Sequence, residues 1–151
     1  STSRGLGDVY KRQASGTSNR HGAEIKFNSM ISDNVYWRNS ATFTVAEDNN
    51  GTSVVRRPKW LGLTAIDHKK DSWTNTVEYL HTGSHLDIDS VTYARTMKPA
   101  VGVVNLHTSK VINEKSDVVL SVNNAFDKTY DRPDGYAQHG RNILLTYKLK
   151  F

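Results

Sequence analysis

The chain has 151 residues and a mass of 17.0 kDa, with 20 Lys and Arg against 15 Asp and Glu, a formal net charge of +5 and no Cys. Mean hydropathy is −0.60 and only 36% of residues are hydrophobic, so no stretch approaches the roughly 18 consecutive apolar residues of a membrane-spanning helix. A disulfide scaffold and a Cys-ligated zinc site are excluded as well, whereas a polar, Thr-, Ser- and Asn-rich composition is compatible with a membrane barrel, whose apolar residues fall on every second position.

Residues 1–13 are foreign to the pattern that follows. Asp8-Val9-Tyr10-Lys11-Arg12-Gln13 is what the mosaic-end adapter of transposon-based sequencing libraries encodes, and residues 1–7 carry no periodicity. This stretch is set aside as an assembly artefact. Residues 14–151 are taken as one continuous but incomplete segment, expected to begin inside a longer gene. Without Arg4, Lys11, Arg12 and Asp8 the balance is 17 basic against 14 acidic residues, or +3, so the sequence pI of 9.5 overstates any nucleic-acid signal.

From Arg20 onward the period is two. Ile25, Phe27 and Ile31 alternate with Glu24, Lys26, Asn28 and Met30. Val35, Trp37, Ala41, Phe43 and Val45 alternate with Tyr36, Arg38, Ser40, Thr42 and Thr44. Weaker alternation runs through 60–67, 73–81 and 100–109. Val118, Leu120, Val122 and Phe126 then oppose Asp117, Val119, Ser121, Asn123 and Ala125, and Ile143, Leu145, Tyr147, Leu149 and Phe151 oppose Leu144, Thr146, Lys148 and Lys150. No window carries an i, i+3, i+4, i+7 stripe. The pattern predicts an all-β antiparallel meander of about seven long strands.

The connections alternate in length. Those at 32–34, 68–72 and 113–116 are tight, and those at 47–57, 83–98 and 127–140 are long. Short turns at one end and long loops at the other is the plan of an outer-membrane barrel. Ten strand residues at about 3.3 Å, tilted about 40°, cover about 25 Å, the height of a lipid-facing band. A soluble β-sandwich or small lipocalin-like barrel shares the period. Strand length, loop asymmetry and the terminal aromatic favour the membrane.

At Arg56-Arg57-Pro58-Lys59, Thr82-Gly83, Asn123-Asn124-Ala125-Phe126-Asp127-Lys128-Thr129-Tyr130 and Gly135-Tyr136 through Gly140-Arg141-Asn142, the sequence resembles the C-terminal barrel of TonB-dependent outer-membrane receptors. Ala125 stands where the family usually has Leu. The order and spacing look most like the cobalamin (vitamin B12) receptor branch. The resemblance implies the C-terminal segment of a 22-strand transmembrane barrel in a Gram-negative outer membrane. It also implies import of a scarce chelate, cobalamin first and a ferric siderophore next, with no cofactor and no enzymatic activity. The implied partners are outer-membrane lipid, the rest of the barrel and its plug, the TonB complex through a preceding segment, and the barrel assembly machinery. A soluble ligand-binding module and a passive porin are the alternatives.

Individual residues sort within that frame. Trp37, Trp60, Trp73 and Tyr130 suit membrane-interface positions, where an amphipathic ring meets headgroups and acyl chains. Tyr147, Leu149 and Phe151 look like the alternating signal that outer-membrane proteins present for assembly, a strand edge available for β-augmentation. His81, His85, Asp87 and Asp89 invite a metal site but lack a framing motif, and are read as solvated loop. Asp87, Asp89 and Tyr136 are the candidate ligand contacts, as polar or aromatic residues in long loops. Arg56, Arg57 and Lys59 lack the aromatic interleaving that nucleic-acid binding wants, and a strand entry near anionic headgroups accounts for them. No nucleophile elbow or paired-carboxylate arrangement is present.

Overall fold

The computed structural model describes residues 18–151; the stretch at 1–13 lies outside the described residues. The strands are β1 (Asn19–Ser32), β2 (Val35–Glu47), β3 (Trp60–Lys70), β4 (Trp73–Thr82), β5 (His85–Ile88), β6 (Arg95–Lys98), β7 (Val101–Asn113), β8 (Ser116–Asn123) and β9 (Asn142–Leu149). There is no helix among the described residues. Seven strands make one antiparallel sheet in the order β1-β2-β3-β4-β7-β8-β9, each paired with its neighbour in the chain once the small β5–β6 hairpin is set apart. That hairpin was not expected. Its four-residue strands are too short to print a period on the sequence, and they fold within the loop between β4 and β7.

Pairing across strands fixes which side chains share a face. One face collects Ile25 and Phe27 from β1, Trp37 and Phe43 from β2, Trp60 and Ile66 from β3, and Trp73, Val77 and Tyr79 from β4, through the pairs Ile25–Ala41, Phe43–Trp60, Trp37–Ile66 and Ile66–Val77. The same face continues through Leu106, Val122 and Ile143, and through Leu120, Leu145, Val118 and Tyr147. The opposite face collects Lys26, Arg38, Asp67, Thr76, Glu78, Asn105, His107, Ser121, Asp117 and Lys148.

The polar face satisfies itself laterally. Arg38 reaches past its cross-strand partner Ala65 to grip Asp67 at 2.5 and 3.1 Å, and Thr76 donates to the same carboxylate at 2.6 Å. Asn105 donates to Glu78 at 3.0 Å, and a His107 ring nitrogen lies 3.0 Å from the Ser121 hydroxyl. Several polar groups on the apolar face pair with one another: the Trp37 indole donates to Thr64 at 2.9 Å, Thr64 donates to Asn39 at 2.6 Å, and Thr108 donates to Asn75 at 2.6 Å, while the buried Asn39 amide nitrogen has no partner. Away from water such pairing is favoured, because an unpaired polar group in an apolar medium costs several kcal/mol.

This sheet has no second layer. Among the described residues the one fully buried apolar side chain is Ala65, and it lies on the polar face. Ile25, Val77, Leu145 and Tyr147, on the apolar face, stay 69%, 53%, 69% and 61% exposed. A soluble sandwich covers its apolar face with another sheet. Here apolar side chains point outward from a polar-lined wall, the sorting of a membrane barrel.

Candidate functional site: the loop cluster at one end of the sheet

The three tight turns lie at one end of the sheet and the three long connections at the other. The long connections hold one another. Asp87, on β5, is 0% exposed; its Oδ1 accepts from Arg56 Nε and from its neighbour's Ile88 N–H, both at 2.8 Å, and its Oδ2 accepts the Asp134 N–H at 2.8 Å. One carboxylate therefore ties together all three loops. The Asp134 carboxylate accepts the Ser90 N–H at 2.8 Å and pairs with Lys98, and Asp131 lies 4.0 Å from the same ammonium.

Charge follows from this geometry. Burial alone would push the Asp87 carboxyl up, but the Arg56 guanidinium and the N–H groups of Ile88 and Asp134 outweigh it and hold the group below the usual range. Lys98 and the Ser90 N–H lower Asp134 to about 2, and Asp134 in turn raises Lys98. Asp89 is lowered by the N–H groups of Thr92 and Val91.

The last loop is built from its own sequence signals. Asn124 and Asp127 adopt left-handed backbone, φ 50° and 55°, which Asn and Asp tolerate better than most residues. Asn124, 4% exposed, accepts the Lys128 N–H and donates to the carbonyls of Lys128 and His139, closing the loop on itself. The Asp127 carboxylate accepts the Arg141 N–H at 2.7 Å, and a Cβ at Gly140 would fall 2.6 Å from that oxygen, so glycine fits there. At the head of the second loop, the Gly83 N–H bonds the Trp60 carbonyl at 2.8 Å, and a Cβ would crowd the Trp60 backbone. These contacts give the Thr82-Gly83, Asn123–Tyr130 and Gly140-Arg141 signatures a structural meaning.

Two clefts open beneath this cluster. One, of about 340 Å³, lies over the polar face, floored by Leu80, Val103 and Asn105 and roofed by Tyr130, Arg132 and Gln138. The other, of about 440 Å³, lies between the β5–β6 hairpin and the last loop, lined by His85, Lys98, Lys128, Tyr130 and Arg132. Arg132 donates to the Thr82 hydroxyl at 3.2 Å and has no carboxylate within ion-pair distance among the described residues. A guanidinium, a phenol and amides around a partly apolar floor suit an anionic, oxygen-rich ligand.

The expected site residues separate here. Tyr136 is 67% exposed in the last loop, open to contact. Asp87 has both oxygens engaged, and Asp89 caps the β5–β6 turn by accepting from Val91 and Thr92. His81 stands on the apolar face of β4, away from buried His85 and Asp87, and no group of three metal-ligating side chains forms among the described residues. Arg56, in left-handed backbone with a φ of 62°, pairs with Asp87.

On the apolar face Trp60 opens the 11-residue β3, and Trp73 of β4 stands opposite Lys70 at its other end, levels about 25 Å apart for strands tilted about 40°. Trp37 is on the same face, but its N–H is taken by Thr64. Tyr130 follows the left-handed turn at Asn124, and its half-buried ring lines both clefts. Tyr147 and Leu149 lie on the apolar face of the unpaired edge strand β9, with Phe151 fully exposed just beyond it at the tight-turn end. Sequence reasoning did not single out Arg132, Lys98 or Asp134; the turn-forming run Arg132-Pro133-Asp134-Gly135 was the available signal.

No family model matches the chain. Its fold is similar to part of several solved outer-membrane receptors. The ferripyoverdine receptor of the outer membrane of Pseudomonas aeruginosa superposes with a TM-score of 0.73 at 18% identity, over 89% of this chain and 20% of that one. The ferric yersiniabactin uptake receptor of Yersinia pestis gives 0.74 at 16% identity, over 90% and 24%. The ferric-catecholate import receptor of Escherichia coli K12 gives 0.71 at 20% identity, over 90% and 21%. The chain thus spans between a fifth and a quarter of the length of these proteins.

Proposed function

We propose that the chain forms the C-terminal wall of a TonB-dependent outer-membrane receptor, a 22-strand barrel of a Gram-negative bacterium that imports a metal chelate. The observation that carries this reading is the sorting of one sheet into a polar, laterally bonded face and an exposed apolar face, with every long loop gathered at one end. The late-strand signatures add the family, and the named receptors of similar fold add ferric chelates as substrates. The sequence resemblance puts cobalamin first; the similar receptors favour a ferric siderophore. We assign chelate contacts to Tyr136, Tyr130 and Arg132, a reading supported by the exposure of Tyr136 and by Tyr130 and Arg132 lining both clefts, and give Asp87 and Asp89 the role of shaping the loops. A plug, the TonB complex and the barrel assembly machinery are the partners of the complete protein.

The test is uptake. The full gene, expressed in a Gram-negative host lacking its own receptors, restores TonB-dependent uptake of either labelled cobalamin or a ferric siderophore. Uptake that persists without TonB points to a passive porin, and a gene product that stays in solution without detergent overturns the membrane reading.

A further inference from the structure

The apolar face carries two lysines that the barrel wall itself does not explain. In the row nearest the tight turns, Lys70 of β3 pairs with Trp73 of β4, and Trp73 pairs with Lys110 of β7. All three share the apolar face. The two lysine Cα atoms are two strand spacings apart, about 10 Å, so two flexible ammonium groups can converge on one small anion above the indole. Lys110 already leans that way, with its Nζ 5.0 Å from the centre of the Trp73 ring. Neither lysine is within ion-pair distance of a carboxylate among the described residues, whereas Lys148 and Lys26, on the polar face, both have carboxylate partners.

The rows that follow along the strands change character in a set order. Next comes His68–Asn75–Thr108, where the Thr108 hydroxyl donates to the Asn75 carbonyl and the Asn75 amide nitrogen has no protein acceptor among the described residues. Beyond it lies Ile66–Val77–Leu106, apolar and exposed at 46%, 53% and 39%. Cations, then neutral hydrogen-bonding groups, then hydrocarbon is the order of phosphate, glycerol ester and acyl chain in a phospholipid standing in the leaflet on the tight-turn side.

We propose that Lys70, Trp73 and Lys110 form a binding site for one anionic phospholipid, with its phosphate between the two ammonium groups, its ester carbonyls level with Asn75, and its acyl chain along Val77 and Leu106. This rests on the membrane reading above. Charge complementarity commits the site to an anionic headgroup. A zwitterionic lipid brings its own cation to the same place and gains little from the lysines, each of which contributes about fivefold in affinity for an anionic surface.

The experiment uses the full gene product reconstituted in phosphatidylcholine bilayers containing a small, equal mole fraction of chain-brominated phosphatidylglycerol or chain-brominated phosphatidylcholine. The Trp73 signal is the fluorescence difference between the wild type and Trp73→Phe. Brominated phosphatidylglycerol is expected to occupy the site about twenty-five-fold more readily, about fivefold from each lysine. The double variant Lys70→Gln/Lys110→Gln brings the ratio to about one, Lys70→Arg/Lys110→Arg retains it, and Lys26→Gln on the polar face leaves it unchanged. Equal quenching by the two lipids in the wild type, or a preference that survives the Gln double variant, overturns the site and leaves the barrel reading standing. Quenching of Trp73 by neither lipid means that this face does not meet acyl chains, and both proposals fall.

Discussion

Asp87 shows how much a single loop carboxylate can organise. It is wholly buried, yet its partner Arg56 is 53% exposed, so the ion pair is worth less than a buried one and the backbone N–H groups carry much of the role. Asp87→Asn turns an amide NH₂ toward one of those donors and leaves at least one unsatisfied. We expect a loss of about 1–3 kcal/mol in local stability. It should be read as lost hydrogen-exchange protection at the Asp134 and Ile88 amides with the β4 and β7 amides unchanged. Asp134 contributes to the acid sensitivity of the same cluster. Its folded pKa, about 2, lies below the ordinary 3.8, so protonation favours the opened loops. Its contribution is complete above about pH 4 and disappears as pH falls through about 2. Cleavage by an acid protease within the 83–100 and 124–141 loops should rise over that window, and Lys98→Gln should move the rise to higher pH.

At the scale of the strand, the decisive property is which face a side chain takes. Val77 lies mid-strand on the apolar face between Ile66 and Leu106, while Thr74, on the same strand, lies on the polar face between Lys69 and Ser109. Val77→Arg should destabilise the inserted barrel by about 2–4 kcal/mol, and Thr74→Arg by far less, measured as the midpoint of urea unfolding in detergent or bilayer. The edge strand β9 adds a kinetic question. Leu145 and Tyr147 share its apolar face, and Phe151 lies past its last pair. If Tyr147, Leu149 and Phe151 form an assembly signal, deleting Phe151 in the full-length protein lowers the inserted fraction much more than Leu145→Ala does. Equal insertion of the two variants reduces Phe151 to one more lipid-facing ring.

The whole sheet has two unpaired edges, β1 and β9. Within a membrane each unpaired N–H or C=O at those edges costs several kcal/mol, and without a second layer no core offsets the loss in water. The 151-residue chain by itself is therefore expected to give no heat-modifiable, protease-resistant barrel band after refolding into detergent. Co-refolding with the remainder of the barrel should restore one. A protected monomer formed by the chain alone would show that the edges close in some other way.

How much of this was legible beforehand depends on the range over which each feature is set. Strand identity and the alternation of tight and long connections could be read along the chain, because period-two patterning and turn residues are local. The β1–β2 turn, the β3–β4 turn and the β7–β8 turn fall where the residues place them. The late loop was half legible: Asn124 and Asp127 announce left-handed turns, but their bonds to His139 and Arg141 depend on the loop returning to its start. The β5–β6 hairpin and the Asp87 tie to Arg56 and Asp134, 31 and 47 residues away, left no mark in composition or period. Nor could β8 by itself say which of its faces is apolar, since it has Val118 and Val119 on opposite sides. The sequence alone determined an antiparallel meander with loops at one end, because each residue's alternation needs only its neighbours. Only the tertiary structure decided that Arg38 of one strand shares a face with Asp67 and Glu78 of the next two, and that three distant loops meet on one carboxylate, because those outcomes depend on register across strands and on proximity in space.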